Sequence, residues 1–140
     1  LLNRDDPELL CSIAAIDFGR SWRDVAAARA ESKLPRDQPS SDAPVCASVR
    51  DGNLARIEEG IALLTAALRS SGKNTDLMRY LSALYQTRAE VQCANRVAHR
   101  GGQDAARKWH RMSEDAVPFE AKREVFRRCP AAPPPEPRAR

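Results

Sequence analysis

Residues 54–70 read LARIEEGIALLTAALRS, and their spacing decides the fold class. Leu54, Ile57, Ile61, Leu64 and Leu68 recur three and four apart, so a helix of 3.6 residues per turn lines them along one face. Glu58, Glu59 and Arg69 fall off that line. Ser71-Gly72-Lys73-Asn74 follows at once and predicts a tight turn that ends the helix.

Outward from this segment the same period continues. On the C-terminal side a long helix is expected over about 75–100. Leu81, Tyr85, Ala89, Cys93 and Val97 form a ladder at four-residue spacing, joined by Leu77 and Leu84. Gly101-Gly102 is expected to break it. Ala105, Trp109, Met112 and Ala116 then line a further helix that Pro118 closes, and a last short helix is expected over 119–128, with Val125 and Phe126 facing in.

On the N-terminal side Asp6-Pro7-Glu8 is a helix start: a capping acid, proline at the first helical position, then an acid near the positive end of the dipole. Leu9, Leu10, Ile13 and Ile16 mark its buried face. A break is expected at Gly19, with Ser21 and Asp24 recapping a second helix that carries Trp22, Val25 and Ala26 to about Leu34. Three prolines, Pro35, Pro39 and Pro44, then forbid a helix.

The expected architecture is therefore all-α, a small disulfide-stapled bundle of five to six helices in a helical-hairpin arrangement. Residues 1–129 form one domain with a loop over 35–46, and 130–140 are a Pro-rich disordered tail. No strict two-residue alternation argues for a strand. At 140 residues there is room for a single core, and with aromatics at 5% it must be built from Leu, Ile, Val and Ala. The longest apolar runs reach four or five residues, against the roughly 20 that a membrane span needs.

Cys11, Cys46, Cys93 and Cys129 lie far apart, unlike the close pairs of zinc or thioredoxin-type sites. Two disulfides are expected. Of the three connectivities, Cys11–Cys46 with Cys93–Cys129 joins neighbouring segments and would pin the last helix. Oxidised cysteines belong to a periplasmic or extracellular protein. The chain opens on Leu1-Leu2-Asn3 without Met, as one cut from a precursor with a signal peptide would, or one with an artificial boundary. The Ala, Arg and Pro bias points to a GC-rich, bacterial genome.

Part of the chain resembles the tetratricopeptide repeat family. Glu59-Gly60-Ile61 with Leu64, Ala67-Leu68 and Gly72 is similar to that family's second helix. Leu81-Ser82 with Tyr85 is similar to the Leu-Gly-x-x-Tyr segment of its first helix. Gly101, Ala106, His110, Ser113 and Pro118 fall at its Gly, Ala, aromatic, Ala and Pro positions. The resemblance covers about 54–118 and implies stacked helical hairpins with a groove for another protein's segment. The same apolar spacing also builds an unrelated four- to six-helix bundle.

The motifs of catalysis are missing: no nucleophile elbow, Gly-rich phosphate loop or His-Glu-x-x-His occurs. Glu58 and Glu59 are neighbours on a helix and point about 100° apart, which makes no acid–base dyad. His99 and His110 flank Gly101-Gly102 and are the residues that would hold a metal ion with Cys93 or Glu114. On antiparallel helices either side of Gly101-Gly102 their axial positions differ by roughly 12–15 Å, too far for a shared ion. No cofactor or metal is expected, and the chain is expected to be non-catalytic.

Net charge is +4, with the surplus in the C-terminal half: residues 86–128 carry ten basic and six acidic side chains. Arg96, Arg100, Arg107, Lys108 and Arg111 are the partner-binding candidates, with the 35–44 loop as a further contact. The expected function is a protein–protein interaction module that meets an acidic surface or an extended segment, acting as adaptor, assembly factor or inhibitor- or immunity-type binder. The alternative is a cytosolic nucleic-acid-binding regulator that stacks bases on Trp109. Against it, Trp109 shares the stripe of Ala105 and Met112, and Asp104 lies four residues before Lys108. The oligomeric state stays open.

Overall fold

A computed structural model describes residues 6–35, 38–72 and 74–120. Within them the chain is all-α: α1 (Pro7–Glu31), a 3-10 turn (Ser40–Asp42), α2 (Cys46–Ser71), α3 (Thr75–Glu90) and α4 (Arg96–Glu120). That is four helices among the described residues where five to six were expected.

The two helices expected on either side of Gly19 are one, and the helix expected over 119–128 falls outside the described residues beyond 120. Gly19 does not interrupt α1, which runs on through Ser21 and Asp24. A glycine inside a helix costs only about 1 kcal/mol, and the burial of Ala14, Val25 and Ala28 on either side outweighs it. Gly101-Gly102 is likewise helical, and the break comes earlier, at residues 91–95. There Cys93 takes a left-handed backbone (φ 54°), and Asn95 caps α4 by accepting from the Ala98 N–H at 3.1 Å. The long helix expected over 75–100 is thus two helices joined by a turn. α4 continues through Pro118 to Glu120, the last residue described. The remainder of the helix expected over 119–128, and the 130–140 tail, lie outside the described residues.

Other boundaries follow the local chemistry. Asp6 accepts from the Glu8 N–H at 3.0 Å with Pro7 at the first helical position. Gly72 (φ 71°) ends α2, and Asn74 starts α3 by accepting from the Leu77 N–H at 3.0 Å. α2 begins eight residues before Leu54, so the stretch between α1 and α2 is 32–45, close to the loop expected over 35–46, and it contains the 3-10 turn.

Consecutive helices pack antiparallel, α1 most extensively on α2 and α3 on α4. α1 also reaches α3, where Phe18 meets Tyr80 edge-on at 6.0 Å between ring centroids. The core is Leu10, Ala14, Val25, Ile57, Ile61, Leu64, Ala67, Leu77, Leu81 and Leu84. At least seven of these are large aliphatic side chains, each worth roughly 1.5–3 kcal/mol on burial. Ile16 and Val97, expected inside, are 56% and 85% exposed, while Asp17 and Ser21 are buried in α1's place.

The disulfide joins Cys46 to Cys93, with their Cα atoms 5.6 Å apart. Both expected pairings, Cys11–Cys46 and Cys93–Cys129, are therefore wrong. The start of α2 and the α3–α4 turn lie at one end of the bundle, brought together by the antiparallel run of α2 and α3. Cys11 sits eighteen residues before Arg29, which marks that same end, so it is about 27 Å away along α1. No cysteine among the described residues is a free thiol. Cys129 lies outside them. None of the helices is long and apolar enough to cross a membrane, among the described residues.

Candidate functional site

α4 is held to the bundle through one seam. Gly102 lies so close to α3 that a Cβ there would stand 2.9 Å from the Ala89 Cβ and 3.1 Å from the Tyr85 carbonyl oxygen. The Ser82 hydroxyl donates across the seam to the Ala106 carbonyl at 2.7 Å. Gly102, Ala106, Ser113 and Ala116 are the buried line, turned about 55° round the helix from the expected line through Ala105, Trp109, Met112 and Ala116. Small side chains at this spacing let the two backbones approach. Trp109 packs against the core from the flank, and Met112 is exposed.

The opposite face of α4 holds the basic candidates. Arg96, Arg100, Arg107, Lys108 and Arg111 are all exposed. At 100° per residue the four arginines fall within an arc of about 60°, spread over about 22 Å of helix. Lys108 lies to one side, its ammonium 5.9 Å from the Trp109 ring centroid. Arg107 is ion-paired to Asp104, and His110 Nε2 to Glu114 Oε1 at 3.0 Å. The row is thus a line of guanidinium groups with Glu114 on the same arc and Asp104 and Asp115 beside it, and the dense α3 seam lies on the far side. Val97 adds an exposed apolar side chain at its N-terminal end.

His99 and His110 sit on this one helix, eleven residues and about 16 Å apart, rather than on two helices as expected. His99 Nδ1 is 2.7 Å from the Ala89 carbonyl oxygen. Among the described residues no three His, Cys, Asp or Glu side chains gather to hold a metal ion.

The 35–44 loop is fastened rather than free. Glu90 Oε2 accepts from Arg29 Nη2 at 3.1 Å, from the Ser40 N–H at 2.9 Å and from the Ser40 hydroxyl. Arg29 Nη1 reaches the Pro35 and Gln38 carbonyls at 3.3 and 2.6 Å. Beside the clamp a small pocket lined by Val25, Ala28, Val49 and Val91 encloses about 180 Å³ including its open mouth, well below the several hundred Å³ typical of small-molecule sites.

Sequence reasoning missed one group. Asp17 is 7% exposed, between α1 and α2, and its carboxyl is hydrogen-bonded to Glu59. Glu59's neighbour Glu58 turns instead to Arg88 at 2.6 Å. Nothing in the one-dimensional pattern marks Asp17, because its position on the wheel matters only once α2 lies against α1.

No family model, no curated protein and no solved structure matches the chain.

Proposed function

We propose that the chain is a non-catalytic protein-interaction module whose α4 outer face receives an acidic segment of a partner protein. The carrying observation is the row Arg96, Arg100, Arg107 and Arg111: four guanidinium groups aligned along a helix whose extensive packing among the described residues is on its other side. Arginine is the side chain suited to paired hydrogen bonds with carboxylates, and spacings of one, two and one turns along a single helix face suit carboxylates on an extended or helical partner. Two hairpins in succession, with α1 touching α3, support the tetratricopeptide-like reading of the fold and an adaptor, assembly or inhibitor role. The Cys46–Cys93 bridge supports service in an oxidising compartment, periplasmic or extracellular.

A fluorescein-labelled glutamate-rich peptide of about twenty residues tests this. It should bind the oxidised protein, and Arg96→Glu/Arg100→Glu/Arg111→Glu should weaken binding about tenfold or more at moderate salt, with the melting temperature unchanged. Unchanged binding by the triple variant overturns the placement. Tighter binding of duplex DNA than of the peptide overturns the choice of partner in favour of nucleic acid.

A further inference from the structure

The contact between α1 and α2 carries a second feature, independent of the arginine row. α2 brings Gly60 into the crossing: a Cβ there would stand 3.5 Å from the Asp17 Cβ and 2.9 Å from Leu84 Cδ1 of α3. Asp17 is therefore enclosed by three helices. Its Oδ2 has no hydrogen-bond partner, and one turn on, the fully buried Ser21 hydroxyl has none either. A carboxylate at this position lacks the donors that normally stabilise a buried negative charge. Its one carboxyl neighbour, Glu59, is itself an acid, and two carboxyls at hydrogen-bonding distance are best satisfied by holding a proton between them.

We propose that Asp17 and Glu59 form a proton-dependent latch between α1 and α2: the shared proton closes the contact, and its loss loosens α1 from the hairpin. The charged groups that face Asp17 are Glu59 and Arg56 from α2 and Arg20 from its own helix. α3 meets the crossing with Leu84, and Tyr80 of α3 sits against Phe18 one residue on, its hydroxyl raised by burial and by Asp76 above the ordinary phenol range and so neutral. Arg56 and Arg20 favour the carboxylate, but burial, then the hydrogen bond and charge of Glu59, outweigh them and push Asp17 up to about 6.

The folded-state value lies above the unfolded one. The stability this group contributes is therefore complete below about pH 3.8 and is lost as pH rises through about 6. Linkage between those two values gives an opening constant about tenfold larger at pH 7.5 than at pH 5.

Hydrogen exchange of α1 amides, corrected for the intrinsic pH dependence and read on the full oxidised chain, tests the latch. In the wild type, opening of the segment around Asp17 should rise about tenfold from pH 5 to 7.5. Asp17→Asn, a near-isosteric change, should flatten that rise. Glu59→Gln, at an exposed position, should reduce it, and Asp24→Asn, an exposed acid on the same helix, should leave it intact. A wild-type profile already flat, or one that Asp17→Asn leaves unchanged while Asp24→Asn alters it, overturns the proposal.

Discussion

Replacing Gly102 by alanine should destabilise the protein, and the same change at its neighbour Gly101 should stabilise it. Both residues are helical in α4, so each alanine gains about 1 kcal/mol of helix propensity. At Gly101 nothing lies within 4 Å of the added methyl, and the gain survives as about 0.5–1 kcal/mol. At Gly102 the methyl meets the Ala89 Cβ at 2.9 Å, the Ala89 Cα at 3.1 Å and the Tyr85 carbonyl oxygen at 3.1 Å. Two of these three atoms are backbone, so no side chain can swing away and α3 and α4 must separate. Overpacking of this kind costs typically 1–3 kcal/mol, leaving Gly102→Ala net destabilised by up to about 2 kcal/mol. Equilibrium urea unfolding of the unreduced protein, followed by helical circular dichroism, separates the two variants. The melting temperatures should diverge by several degrees, at about 3 °C per kcal/mol for a chain of this size. If Gly102→Ala proves as stable as Gly101→Ala, the close seam between α3 and α4 is refuted.

Peptide mapping of the denatured, unreduced protein should recover Cys46 linked to Cys93, and a Cys46–Cys11 peptide would contradict the arrangement at that end of the bundle. Since the bridge closes a segment of 47 residues, Cys46→Ser/Cys93→Ser should lower stability by about 3–4 kcal/mol in the chain-entropy account, measured by urea unfolding. Glu90→Ala strands the Arg29 guanidinium and the Ser40 N–H, and should cost about 2–3 kcal/mol. In the same variant, limited trypsin digestion at Lys33 should speed up severalfold, whereas an unchanged cleavage rate would mean that Glu90 does not hold the loop.

The all-α class, the hairpin α2–α3 and two of the helix ends were legible because they depend on local chemistry alone. Residues 54–70 carry the apolar period, Asp6-Pro7 caps the backbone beside it, and Gly72 supplies a left-handed turn. What failed depended on distance in space. Gly101-Gly102 reads as a breaker in one dimension, yet Gly102 is there because Ala89 leaves no room for a Cβ. The true break needs Asn95 to cap α4 and Cys93 to accept a left-handed backbone that its partner Cys46 anchors. Pairing neighbours in sequence misassigned the disulfide, since a 25-residue helix carries Cys11 away from Cys46. The exposure of the five basic residues was readable, but not that four of them align, because the break expected at Gly101-Gly102 put Arg96 and Arg100 on a different helix from Arg107 and Arg111.

That seam also keeps the fold separable from the proposed binding face. The groups that hold α4 are Gly102, Ala106, Ser113 and Ala116, and none of them is charged. The arginine row lies across the helix axis from them, with Arg107 paired only to a neighbour on the same helix. Exposed charges of this kind contribute a few tenths of a kcal/mol to stability, so reversing them leaves the fold nearly untouched while reversing the field a partner meets. Substitutions in the seam act the other way: they tilt or release α4 and move the whole row at once. A partner that reads the spacing of the row should therefore discriminate Gly102→Ala from Gly101→Ala although neither changes a charge, whereas one held by net charge alone should bind both equally.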